Sequence, residues 1–221
     1  PSRSLASPRA SSRRVSSHRR VVVCGRSSFV ATRASRTRGR DGRRHDAMTT
    51  VRPFACADLF AYNDVNVDAL TETYGLAFYL QYLATWPEYF SAATSTFGDV
   101  CGYVMGKCEG EGELFHGHVS AVTVAPGYRR QGLAKTLMRE LELVTETAHD
   151  AYFVDLFVRV SNALAIGMYE KFGYTVYRRV LDYYSGDEDA YDMRKAMRRD
   201  VAKKSVVPSK KDWHPWELEW T

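Results

Sequence analysis

Apolar and polar residues alternate from His118 to Val124 (His-Val-Ser-Ala-Val-Thr-Val), a period of two that predicts a strand with one face toward a core. Beyond a turn at Pro126-Gly127 the period changes. Leu133, Leu137, Leu141 and Val144 fall on one stripe and predict a helix from about Gly132 to Ala148. Tyr152 to Val158 is the most apolar run and reads as a central strand. Asn162 to Lys171 reads as a short helix, entered through Ser161 or Asn162 as cap and closed by Gly173.

Around this centre the signals are shorter. Val51 to Phe54 predicts a strand that Pro53 confines to an edge or a strand end. Ala57 to Tyr62 predicts a helical turn, Asn63 to Thr73 loop and helix together, and Phe78 to Leu83 a helix ended by Trp86-Pro87. Tyr89–Thr94 and Val100–Cys108 are candidate strands, and a turn at Glu109 to Gly112 leads into a long strand over 114–124. Val176–Leu181 and Tyr191–Met197 are the last strands, joined by a polar loop at Ser185 to Asp189. The order is mixed α/β, with a strand–helix–strand–helix–strand centre and no repeat or internal boundary.

Charge changes the picture at one end. The chain has 221 residues and a net charge of +5, but residues 1–47 alone hold thirteen Arg, two Asp and no Lys. The remainder is net acidic, so the high isoelectric point belongs to the leader. This Ser/Arg-rich leader buries too little apolar surface to offset chain entropy and is expected to be disordered. An organelle-targeting segment, a nucleic-acid or ribosome-binding arm, and upstream sequence without a role are the three readings; Met48 is the favoured start. The chain thus divides into 1–47, a folded domain over 48–198, and a tail over 199–221 that is first basic, then Trp-rich at Trp213, Trp216 and Trp220. No apolar run approaches the roughly 20 residues that span a bilayer. Cys24, Cys56, Cys101 and Cys108 form no disulfide framework, which fits a reducing compartment. Cys101, Cys108, His116 and His118 match no familiar zinc spacing, so no metal is expected.

The chemistry concentrates at Arg129-Arg130-Gln131-Gly132-Leu133-Ala134. A strand, a tight turn and a glycine at a helix start offer several backbone N–H groups to an anion. A solvated basic turn is the plainer alternative. Arg129-x-x-Gly132-x-Ala134, followed in order by Ser161-Asn162-x-x-Ala165-x-x-x-Tyr169 and Phe172-Gly173-Tyr174, resembles the GNAT superfamily of acetyl-CoA-dependent N-acyltransferases. Leu70 to Gly75, Phe78 to Leu83, Trp86 to Phe90, His116 to Val119, Phe153 to Asn162 and Tyr191 to Lys195 extend the resemblance, over about residues 48–208, to the catalytic subunits of the NatB N-terminal acetyltransferases.

That resemblance implies a central mixed, mostly antiparallel sheet flanked by helices. It implies acetylation of the α-amine of nascent chains beginning Met-Asp, Met-Glu, Met-Asn or Met-Gln. It implies work in the cytoplasm at the ribosome with a large helical-repeat auxiliary subunit, which contacts the Leu70–Gly75 neighbourhood and the Phe78–Leu83 helix. Acetyl-CoA is the implied co-substrate, held by Val122, Val124, Arg129, Arg130, Gln131, Gly132, Leu133, Ala134, Asn162 and Tyr169. Tyr169 would face the departing thiolate, the plainer reading being a core tyrosine. Glu72, Tyr74, Gly75, His116, His118, Ser120, Tyr183 and Tyr184 would line the peptide site. Ser120 stands where threonine is usual. Glu72, His118 and Tyr183 are candidates for a base acting through water. A GNAT enzyme acting on lysine, a polyamine or a small metabolite, and a non-catalytic subunit gripping RNA through the leader, are the rival readings.

Overall fold

A computed structural model describes residues 49–62, 65–66, 71–185 and 188–218. The leader and Met48, part of the segment read as loop and helix, Gly186 and Asp187 of the polar loop, and Trp220 lie outside the described residues.

One seven-stranded sheet organises the chain, in the order β1-β2-β3-β4-β5-β7-β6. The strands are β1 (Thr50–Pro53), β2 (Ser91–Thr94), β3 (Val100–Glu109), β4 (His116–Val124), β5 (Phe153–Arg159), β6 (Thr175–Tyr184) and β7 (Glu188–Ala196). Neighbours run antiparallel except β4 and β5, which are parallel. Pro53, unable to donate to a ladder, ends the edge strand β1. The expected strand from 114 begins at His116, because Gly112–Leu114 winds into a 3-10 turn first. Tyr89 likewise belongs to a 3-10 turn, Pro87–Tyr89, ahead of β2. The expected polar loop is shorter, since Glu188 and Asp189 already belong to β7.

Among the described residues, three α-helices cover the sheet: α1 (Leu76–Thr85), α2 (Leu133–Thr147) and α3 (Ala163–Lys171). Asn162 caps α3 by accepting the Ala165 N–H at 3.1 Å. On one face Leu133, Leu137, Met138 and Leu141 of α2 and Tyr169 of α3 pack on Val119, Val154, Leu156, Val158 and Met193. On the other, Tyr79 and Tyr82 of α1 join Phe54, Leu59, Phe90, Tyr103 and Met105. α2 lies close because Gly117 is bare beneath it; a Cβ there would stand 2.3 Å from Thr145 Oγ1.

The Trp-rich end returns to the sheet. Trp213 N–H donates to Arg179 O, and Leu181 N–H donates to Trp213 O. Leu218 is buried against Val180 and Ala190.

Two irregularities in β4 position the site. Its register against β3 slips between Met105 and Gly106, which pair with Ala121 and Val119, leaving Ser120 as the bulged residue. Its pairing with β5 extends only from His116–Phe153 to Val119–Leu156. Beyond that point the remainder of β4 and the end of β5 diverge.

Candidate active site

A cleft of about 760 Å³ opens where β4 and β5 part. One wall is Ser120 to Val124 and the other Leu156 to Arg159, with the start of α2 and the α3 residues Leu164, Ala165, Met168 and Tyr169 along its length. Strand edges that separate leave N–H and C=O groups without a ladder partner, and an amide-bearing ligand can take their place.

At one end lies the basic turn. Arg130 has φ 64 and Gly132 has φ 87, both in the left-handed region. This conformation turns the chain sharply into α2, whose first intrahelical bond runs from Thr136 N–H to Gly132 O. The N–H groups of the first turn therefore have no acceptor within the helix. A Cβ on Gly132 would meet nothing within 4 Å, so the space before these donors is open. Arg129, Arg130, Leu133, Ala134 and Lys135 line the same end, and Arg129 Nε also donates to Val124 O at 3.0 Å. A doubly charged pyrophosphate fits this donor set: backbone amides at a helix N-terminus, flanked by cations.

Midway, Tyr169 faces the cleft while buried, and burial pushes its phenol well above the ordinary range. It stays neutral and able to donate. Asn162 lies nearby with its Oδ1 engaged in capping.

The other end is lined by Glu72, Tyr74, His118, Ser120, Tyr183 and Tyr184. Tyr74 O–H donates to the carbonyl of the bulged Ser120 at 3.2 Å, and Ser120 Oγ donates to Tyr82 at 2.8 Å. Burial, then the charge of Glu72, pushes the Tyr74 phenol up to about 12. Burial also raises Tyr183 and Tyr184. The Tyr183 ring stacks on Phe157 at 4.6 Å. Glu72 is bound by Arg159, which also holds Glu188 at 2.7 Å and lies 4.1 Å over the Tyr184 ring.

Three expected residues lie apart from the cleft lining: Gln131, Gly75 and His116. Gln131 donates from its side chain back to Gly127 O, and Gly75 precedes α1 as its cap. His116 donates from Nδ1 to Leu114 O at 2.6 Å and stacks on Phe153. Its Nε2 sits 3.7 Å from Glu109 and 3.6 Å from Asp155. Among the described residues, Glu109, His116 and His118 bring ligand-type atoms within 4.8 Å of one another; Cys101 and Cys108 do not join them. Lys107 is ion-paired with that Glu109 carboxylate.

Sequence reasoning missed Asp155 and Arg159. Asp155 is buried and accepts the His118 Nδ1–H at 2.8 Å. Burial alone would raise its pKa, but His116, His118 and Arg194 outweigh that and hold it well below the usual carboxylate range. The signal was present: positions 153, 155, 157 and 159 share a face, and charges at two of them in the most apolar strand need partners.

Residues 58–174 match the acetyltransferase (GNAT) family. The chain is similar to the N-terminal acetyltransferase B complex catalytic subunit NAA20 of Arabidopsis thaliana, at 60% identity over 78% of this chain and 99% of that protein. It is similar to N-alpha-acetyltransferase 20 of Dictyostelium discoideum, at 59% identity over 78% of this chain and 99% of its relative. Among solved structures it resembles Chaetomium thermophilum Naa20 in complex with a bisubstrate analogue, with TM-score 0.71 and 44% identity over 76% of this chain and 97% of that one.

Proposed function

Because the chain belongs to the acetyltransferase (GNAT) family, among the catalytic subunits of the N-terminal acetyltransferase B complex, we propose that it acetylates the α-amine of nascent proteins beginning Met-Asp, Met-Glu, Met-Asn or Met-Gln. The single observation that carries the reading is the cleft between the diverging β4 and β5, which runs from an anion-binding helix start to a wall of tyrosines and His118. An enzyme of this kind works in a complex with an auxiliary subunit. Leu76 and Leu80, exposed one turn apart on α1, and exposed Phe60 offer that subunit an apolar surface. Cytoplasmic work at the ribosome belongs to the same proposal.

The donors at the start of α2, with Arg129 and Arg130, hold the acetyl-CoA pyrophosphate; Val122 and Val124 border its pantetheine arm. Bound there, acetyl-CoA supplies an acetyl group activated as a thioester. The α-amine needs little help as a nucleophile: its reference pKa near 8 makes deprotonation cost only about 1 kcal/mol at neutral pH. Positioning is then the larger part of the barrier. Tyr74 and Tyr183 flank the path of the peptide, and His118 meets its second residue. Water takes the amine proton and passes it to Glu72 or His118, while Tyr183, whose phenol burial keeps protonated, can only relay it. Of these, Glu72 already has its Oε1 engaged by Arg159. The neutral Tyr169 phenol donates toward the sulfur that leaves. No thiol competes as nucleophile among the described residues of the cleft lining. Cys101 and Cys108 lie outside it, and burial pushes both thiols up.

A panel of peptides beginning Met-Asp, Met-Ala and Ser-Ala, assayed with the auxiliary subunit present, tests the function. Selective turnover of the first is the expected result; preference for a lysine side chain, a polyamine or Ser-Ala overturns it. Tyr169→Phe keeps the packed ring and removes the donor. It is expected to lower kcat by about 10- to 100-fold with the KM for acetyl-CoA little changed. Steady-state kinetics checks this, and an unchanged kcat removes Tyr169 from the chemistry.

A further inference from the structure

The most complete polar arrangement outside the cofactor end is a charged row across the sheet, on the face opposite α2. Registered neighbours on four strands are Lys107 on β3, His118 on β4, Asp155 on β5 and Arg194 on β7. Only His118 in this row reaches the cleft. Its Nδ1–H is committed to Asp155 Oδ1 at 2.8 Å, with both side chains buried. The atom left to face a ligand is Nε2. Two further cationic neighbours keep the carboxylate ready to accept: Arg194 stands beside it in the ladder, and Nε2 of His116, from outside the row, lies 3.6 Å from its second oxygen.

We propose that Asp155 is the positioning residue of the acceptor site, fixing the tautomer and tilt of His118 so that Nε2 alone reads the second residue of the substrate. This rests on the reading above, in which His118 meets that residue. With Nδ1–H held in place, Nε2 has two states. Unprotonated, it accepts a hydrogen bond from the amide of Asn or Gln. Protonated, it donates to the carboxylate of Asp or Glu, and the buried anion on its far side balances the imidazolium charge. One side chain thereby serves both substrate types, and an acidic peptide binds together with a proton. Without the Asp155 charge, the protonated state loses its counter-ion and the opposite neutral tautomer becomes available.

Other ionisable groups face this pair. Glu109 and Lys107 approach from β3, His116 from its own strand, and Arg194 from β7 with Asp192 behind it. Glu72, Tyr74, Arg159 and Tyr183 stand around the cleft. None of these is substituted in the test, and Asp192, which burial and then the Asp155 charge push up, lies outside the cleft lining.

The test compares kcat/KM for Met-Asp and Met-Asn peptides across the pH range where imidazoles titrate, about 5 to 8, using the full chain with its auxiliary subunit. In the parent enzyme the Met-Asp to Met-Asn ratio is expected to fall as pH rises. In Asp155→Asn the ratio is expected to drop by about tenfold or more at the acid end and to lose its slope, through KM and not kcat, with the KM for acetyl-CoA unchanged. Nitrogen-15 spectra of the histidines give a readout free of catalysis: His118 carries its proton on Nδ1 in the parent and moves it to Nε2 in Asp155→Asn. A flat ratio in the parent, or a parent His118 with a bare Nδ1, overturns the proposal even where the variant fails to fold. A variant in which both peptides lose kcat equally also overturns it, leaving Asp155 a structural residue. Should the parent acetylate neither peptide, the substrate reading fails, and the spectra still decide whether Asp155 sets the tautomer.

Discussion

Gly132→Val is expected to raise the KM for acetyl-CoA by about 100-fold while the protein stays folded. Two properties of the position make the effect large and selective. Its φ of 87 is one that a β-branched residue adopts only under strain. Relaxing that strain rotates the turn and re-aims the N–H groups of the first turn of α2, where a displacement of about 1 Å costs two orders of magnitude. The space around a Cβ at this position is open, so the packed core does not resist the new side chain. The isopropyl group instead occupies the approach to the amides. The stability cost is that of one strained residue, about 1–3 kcal/mol. Calorimetric titration with CoA, beside a thermal melt, checks both parts. A folded variant that binds CoA as the parent does would remove the phosphate role from this turn.

Arg194→Met is expected to produce the largest loss of stability, about 3–5 kcal/mol, which for a chain of this size lowers Tm by roughly 10 °C or more. The guanidinium is buried, bonds Asp192 at 3.1 and 3.2 Å, and sits 3.6 Å over the Tyr177 ring and 4.5 Å over Phe153. Its loss leaves two buried carboxylates short of a cation. Arg178, at 2.8 Å, remains on Asp192. The pH dependence has a definite sign. Asp155 is depressed in the folded protein, so its contribution is present above the ordinary carboxylate range and disappears as pH falls through its folded value. Asp192 is pushed up, by burial first and by Asp155 second, with Arg194 and Arg178 opposing. It costs stability as pH rises above the ordinary range, and more so without Arg194. The Asp192 effect makes the deficit widest near neutrality and narrower toward pH 4, and the Asp155 effect narrows it further only below the ordinary carboxylate range. Melts across that range check it; a deficit independent of pH would assign the loss to packing alone. Lysine is expected to rescue only partly, since it lacks the planar fork that bonds Asp192 while lying over two rings.

The elements of the fold that were legible in the sequence share one property: their signal is local. The stripe Leu133, Leu137, Leu141 and Val144 needs only a helix to explain it, and α2 spans Leu133–Thr147. Asn162 announces its own cap. Gly132 before that stripe marked the turn where a positive φ opens α2. The elements that were not legible depend on pairing between distant segments. The bulge at Ser120 exists only as a mismatch with Met105 and Gly106, and the divergence of β4 from β5 only as a ladder that stops. His116 and His118 read as equivalent by a period of two. Their difference comes from neighbours: His116 is drawn to Leu114 O and Phe153, while His118 reaches the cleft. Asp155 lies in the segment Phe153 to Asn162 with no role legible there, because its meaning is the imidazole across the ladder. The return of Trp213 to β6 was likewise out of reach, since nothing in a Trp-rich end names the strand it joins.

Four rungs between β4 and β5 join the two halves of the sheet, and they all lie at one end. Mechanically the molecule is a pair of plates riveted along a single corner, with helices braced across the seam. Any thread of amides drawn into the open length of that seam becomes part of the load path from one plate to the other. Occupancy and rigidity are then one variable: the protein is stiffest when it is loaded, and it softens along the seam each time it lets its product go.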